Sequence, residues 1–74
     1  MFEQIRDMIA AQLGISAEEI NMDSRFHQDL KADSANLMVM IMQLEETFNI
    51  EVEDDVILKL TTVGDVVKYI EKNV

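Results

Sequence analysis

Apolar residues at Phe2, Ile5, Met8, Ile9 and Leu13 recur at three- and four-residue steps and trace one stripe of an amphipathic helix. Gly14 follows directly, where a helix C-terminus expects a residue free to take left-handed backbone angles. The spacing predicts a first helix over 2–13. Residues 14–33 carry no sustained period. Within them "SAEEI" places Ser16 three residues before Glu19, the spacing of a capping box and one helical turn. The isolated apolar residues Ile15, Ile20, Met22, Phe26 and Leu30 are expected to pin this segment to the core. A loop so long in a small domain is unusual, and such loops are often functional.

Helical periodicity resumes near Ser34, with Asp33 or Ser34 at the cap. Leu37, Ile41, Leu44 and Phe48 form the inward stripe of a second helix ending around Phe48 and Asn49. "VEDDVILKL" suits a short third helix and "TTVGDVVKYIEK" a fourth, with Thr62 as its cap and Asp65 in its first turn. Valine favours strand, but Val63, Val66, Val67 and Ile70 fall at helical spacing, and the spacing decides. The expected fold class is all-α: a small antiparallel bundle of three main helices plus one short helix, with a long loop between the first and second.

Composition narrows the function classes. Seventy-four residues suit one domain over 1–74, and an apolar fraction of 49% is too high for a disordered tail. The chain has no cysteine, which excludes disulfides, thiolate metal sites and thiol catalysis by the chain itself. No stretch approaches the ~18 apolar residues of a membrane span. The opening "MFEQIRDMIA" has acids where an export signal needs bases, so a cytoplasmic protein is expected. Fifteen acids face six bases, a formal charge of −9, and residues 45–55, "EETFNIEVEDD", hold six acids and no base. Nucleic acid and anionic membrane are poor partners for such a surface, and basic protein surfaces are suitable ones.

The segment "DLKADSAN" sets one serine before the long apolar run. A nucleophilic serine needs a base and an oxyanion hole. The single histidine, His27, stands among charged loop residues and reads as a solvent-exposed side chain, and no G-x-S-x-G elbow is present. Hydrolase chemistry has no support and no catalytic residue is assigned. "NMDSRFHQDL" offers oxygen ligands but lacks the central glycine and closing glutamate of a calcium loop, so no metal site is assigned. Taken alone, Ser34 reads as a helix cap.

The wider pattern changes that reading. From Phe26 the chain runs F-x-x-D-L-x-A-D-S, then L-M-V-M-I-M-Q-L-E-E-T-F, and later L-T-T-V-G-D-V-V-K-Y-I. This ordered set resembles the acyl carrier proteins over nearly the whole chain. The resemblance implies that Ser34 carries a covalent 4′-phosphopantetheine arm, attached from coenzyme A by a separate phosphopantetheinyl transferase. The arm would bring the thiol that the chain lacks, and the protein would catalyse nothing itself. A phosphodiester at a helix N-terminus is favoured by the positive end of the dipole, and Lys31 could offset the same charge.

The resemblance also implies that the second helix is the recognition surface for acyl transferases, ketosynthases and other fatty acid synthesis enzymes with basic docking surfaces, with Asp33, Glu45 and Glu46 as matching acids. This chain departs from the family pattern with Ala35 for a common leucine, Asn36 and Val39 for acids, Lys31 for a glycine and Glu53 for a proline. An apolar patch of Ala35, Val39 and Met42 flanked by later acids is therefore expected to share in recognition. Met38, Ile41, Val56 and Ile57 are expected to shelter an acyl chain, with methionine supplying adaptable packing. Lysine disfavours positive φ, so the loop at Lys31 is expected to take its own path. A monomer that carries fatty acyl groups is the leading expectation. A carrier of polyketide or aminoacyl (D-alanyl) intermediates is the alternative, and an acidic helical binding module with no prosthetic group is the alternative of another class.

Overall fold

A computed structural model describes residues 1–74. Four α-helices follow in order: α1 (Phe2–Leu13), α2 (Ser34–Phe48), α3 (Asp54–Ile57) and α4 (Val63–Asn73), with a 3₁₀ turn at Ala17–Glu19 between α1 and α2. There is no strand, and no helix is long and apolar enough to cross a membrane. The all-α class and the long first loop agree with the sequence pattern.

Local chemistry sets three of the helix ends. Gly14 closes α1 at φ 69°, returning its N–H to the Ala10 carbonyl. Asn49, a residue that tolerates left-handed angles, closes α2 at φ 55° and returns its N–H to Glu45. Thr62 and Asp65 open α4 with a complete capping box. The turn after Ser16 is only half of one: the Ser16 hydroxyl accepts from the Glu18 N–H at 3.3 Å, with no return from Glu19.

One apolar cluster fills the centre. Ile5 and Ile9 of α1 meet Leu37, Met40, Ile41 and Leu44 of α2 and Val63, Val66, Val67 and Ile70 of α4, with Phe26 fully enclosed among them. The long loop is anchored to the start of α4 by backbone bonds. Gly64 N–H donates to the Met22 carbonyl (2.8 Å), Val63 N–H to Ser24 (2.9 Å), and Phe26 N–H to Thr61 (3.1 Å). This brace explains one departure from expectation. Met22 was expected in the core through its side chain, yet that side chain is exposed and its carbonyl makes the attachment. Nearby Ser24 is buried, its hydroxyl accepting from Asn21 N–H at 3.0 Å.

Lys31 corrects a second expectation. The loop takes no separate path to avoid a positive φ; Lys31 itself sits at φ 58°. The flanking residues Leu30 and Ala32 are both buried, and Ala32 N–H donates to the Phe26 carbonyl at 2.8 Å. The chain on each side is held, so the strain falls on the exposed lysine between them.

Candidate functional site

The approach to Ser34 is built from short-range bonds. Arg25 N–H donates to the Asp29 carboxylate at 2.8 Å, and the Arg25 guanidinium reaches the same group at 3.3 Å. The Arg25 backbone N–H, more than its side chain, holds the Asp29 carboxyl below the usual range. Further on, the Asp33 backbone is extended (φ −89°, ψ 176°) and its carboxylate accepts from the Asn36 N–H at 2.7 Å. Asp33 is thus the cap, and Ser34 is the first helical residue.

That assignment decides what the Ser34 hydroxyl is free to do. The capping role belongs to its neighbour, Ser34 is exposed, and its hydroxyl makes no hydrogen bond within the protein. The N–H groups of Ser34 and Ala35 have no protein acceptor either, as the geometry of a first turn requires. A reachable hydroxyl stands beside two free donors at the positive end of a 15-residue helix. The arrangement fits an anionic group covalently joined to the serine oxygen, as a phosphopantetheine arm would be.

Beside Ser34 lies a hollow of about 160 Å³ whose apolar walls are Leu37, Ile57, Leu58 and Leu60, with His27 and Thr61 completing the rim. Leu58 is 86% exposed, the most exposed of the large apolar side chains. Of the residues expected to shelter an acyl chain, only Ile57 lines this hollow. Ile41 is packed in the core, Val56 is half-buried, and Met38 points into solvent. Leu37, Leu58 and Leu60 line it with Ile57. The run Val56-Ile57-Leu58 carried a signal for the exposed Leu58, because three consecutive apolar residues at the end of a short helix cannot all face inward.

A second, larger groove of about 560 Å³ runs along the later half of α2, with Val39, Met42 and Ile50 as apolar lining and Glu45, Glu46 and Glu51 among its acids. Four of the residues expected at a partner surface (Val39, Met42, Glu45 and Glu46) meet here, whereas Asp33 and Ala35 stand apart at the helix start. Glu45 has a structural task too, since its carboxylate accepts the Val52 N–H at 2.8 Å. Lys31 lines a separate hollow of about 370 Å³ with Leu13, Ile15 and Asn36, and the titratable residue sharing the hollow with Ser34 is His27. No spacing rule pointed to His27. Its position follows from a fold-dependent contact between its ring and the Ala32 carbonyl at 2.7 Å.

Comparison with known proteins agrees with this geometry. Residues 3–70 match the family model described as "Phosphopantetheine attachment site". The acyl carrier protein of Clostridium acetobutylicum is 52% identical over 71 residues, covering 96% of this chain and 92% of its own. That of Helicobacter pylori is 48% identical over 73 residues, covering 99% and 94%. A solved structure of the acyl carrier protein from Enterococcus faecalis superposes with a TM-score of 0.84 at 30% identity, covering 99% of this chain and 92% of that one.

Proposed function

This chain belongs to the phosphopantetheine-attachment family and, within it, to the acyl carrier proteins, and on that premise we propose that Ser34 bears the 4′-phosphopantetheine arm of a carrier serving fatty acid biosynthesis. When attached, the arm supplies the thiol that holds acyl groups as thioesters. The protein's own residues do the rest without catalysis. Asp33 caps α2 and so leaves the neighbouring hydroxyl unused. The free N–H groups of Ser34 and Ala35 favour the phosphodiester charge. Leu37, Ile57, Leu58 and Leu60 offer an apolar resting place beside the attachment point. Residues 1–74 act as a single carrier domain working in the cytoplasm as a monomer.

The partners in this reading are a phosphopantetheinyl transferase, which uses coenzyme A, and acyl transferases and ketosynthases of fatty acid synthesis. Their docking surfaces would be basic at the rim and apolar at the centre, to match the Val39–Met42–Ile50 groove and its acids. Long-range attraction to a chain of charge −9 speeds encounter, and the apolar contact lengthens it.

The observation that carries the reading is the exposed Ser34 hydroxyl at the first position of a helix whose cap is a different residue. Intact-mass measurement after incubation with coenzyme A and a phosphopantetheinyl transferase tests it. The mass rises by one phosphopantetheine in the wild type and not at all in Ser34→Ala, whose melting temperature stays unchanged because the hydroxyl bonds to nothing. A rise that persists in Ser34→Ala would move the arm elsewhere and sink the assignment.

A further inference from the structure

We propose that His27 is a positioning residue for the arm, its free ring nitrogen pairing, once protonated, with the phosphodiester carried on Ser34. The inference rests on Ser34 as the attachment point and adds a partner for the charge that attachment creates. The Ala32 carbonyl can only accept, so His27 Nδ1 carries a hydrogen and donates across the 2.7 Å contact. That bond fixes the tautomer and leaves Nε2 as the ring's uncommitted nitrogen. The ring edges the same 160 Å³ hollow that Ser34 borders.

The charges near this hollow leave the role to His27. It is the only titratable residue on the lining. The Asp33 carboxylate is engaged with Asn36 N–H, and the Asp29 carboxylate with Arg25. Lys31 belongs to another hollow, and Lys59, between Leu58 and Leu60, is not on the lining. An anion on Ser34 therefore meets one ionisable neighbour there. Histidine changes charge between about pH 5 and 8. Protonated His27 holds the arm's root over the apolar walls, and neutral His27 releases it toward solvent and partner enzymes.

Because the chain has a single histidine, its ring resonance can be followed without ambiguity. Proton NMR titration of the apo and arm-loaded protein compares the His27 midpoints. Loading raises the midpoint by about half a pH unit, the size an exposed ion pair gives. Phosphorus NMR of the loaded protein adds a second readout. A phosphodiester has no ionisation of its own in this range, so its signal moves with the His27 midpoint in the wild type and stays flat in His27→Asn. The asparagine amide nitrogen takes the place of Nδ1 and keeps a donor for the Ala32 carbonyl, so the loop holds. Equal midpoints in apo and loaded protein, with a flat phosphorus signal, overturn the proposal while leaving Ser34 intact as the attachment point. A chain whose mass never rises with the transferase fails one step earlier and takes both readings down.

Discussion

Helices α2 and α4 treat their outer faces differently. Helix α4 buries Val63, Gly64, Val66, Val67 and Ile70, closes its start with a reciprocal capping box, and shows charged residues such as Lys68, Glu71 and Lys72 to water. Helix α2 buries Leu37, Met40, Ile41 and Leu44 equally well, yet leaves Met38 (42%), Val39 (43%) and Met42 (60%) exposed. The first is a helix whose two faces are both explained by folding. The second carries more apolar surface than folding consumes, and in the reading proposed above that surplus, with its acidic border, is the docking surface. On that proposal, stability and recognition are divided between regions. Substitutions around the α4 start should destabilise the fold, and substitutions on the outer α2 face should leave its stability intact and impair its traffic.

The largest expected effect is at the brace. A Cβ at Gly64 would stand 2.8 Å from the Met22 carbonyl oxygen, the same atom that accepts the Gly64 N–H. Because that atom is backbone, the loop must shift. Gly64→Ala therefore destabilises by about 2 kcal/mol, overpacking and a weakened hydrogen bond outweighing the ~1 kcal/mol that alanine gains in helix propensity. Thermal denaturation measures this directly, and a variant as stable as the wild type would break the contrast at its strongest point.

Asp65→Ala comes next. The Asp65 carboxylate accepts from the N–H groups of Thr61 and Thr62, each at 3.1 Å, and its own N–H donates to the Thr62 hydroxyl. Losing the carboxylate costs about 1 kcal/mol, typical of a capping side chain, which a denaturant titration resolves. Val63→Ala would be less instructive, since any buried valine would respond.

These two positions also show how far the sequence could be read. Helix ends were legible wherever the stop is chemical and local, as at Gly14, Asn49 and the Thr62–Asp65 pair. The stripes of α1, α2 and α4 followed from spacing alone, whereas the proposal for Ser34 came from the family resemblance of the pattern around it, since by itself the residue reads as a helix cap. What pattern could not supply was anything carried by backbone geometry between distant segments. Met22 is apolar and stands where a core residue would, but its carbonyl is what the fold uses. The hollow beside Ser34 escaped for a similar reason. Its walls come from α2, α3 and the turn before α4, so no single periodicity names Leu37, Leu58 and Leu60 together.

Lys31→Gly should act in the opposite direction and more weakly. A lysine at φ 58° bears a left-handed cost of about 1–2 kcal/mol, from which the extra unfolded-state freedom of glycine takes back ~0.5–1. The variant gains about 0.5–1 kcal/mol on the same bookkeeping and melts a few degrees higher. A lower melting point would mean that the Lys31 side chain has a stabilising task, and the strain would then belong to the site's design.

Val39→Glu is the sharpest test because the two regions predict opposite things for it. The side chain is exposed on a helix where glutamate is the better former, so stability changes by no more than about 0.5 kcal/mol. At the α2 groove, however, the same change puts a charge among Val39, Met42 and Ile50, where a docked partner would have to desolvate it. Transfer of acyl groups by a fatty acid synthesis enzyme should then fall about tenfold in kcat/KM, equivalent to about 1.4 kcal/mol. If recognition rested on acids alone, an added acid would leave that rate unchanged or raise it. An unaltered rate with an unaltered melting point would reduce the exposed apolar face to surplus hydrocarbon and return the docking role to charge.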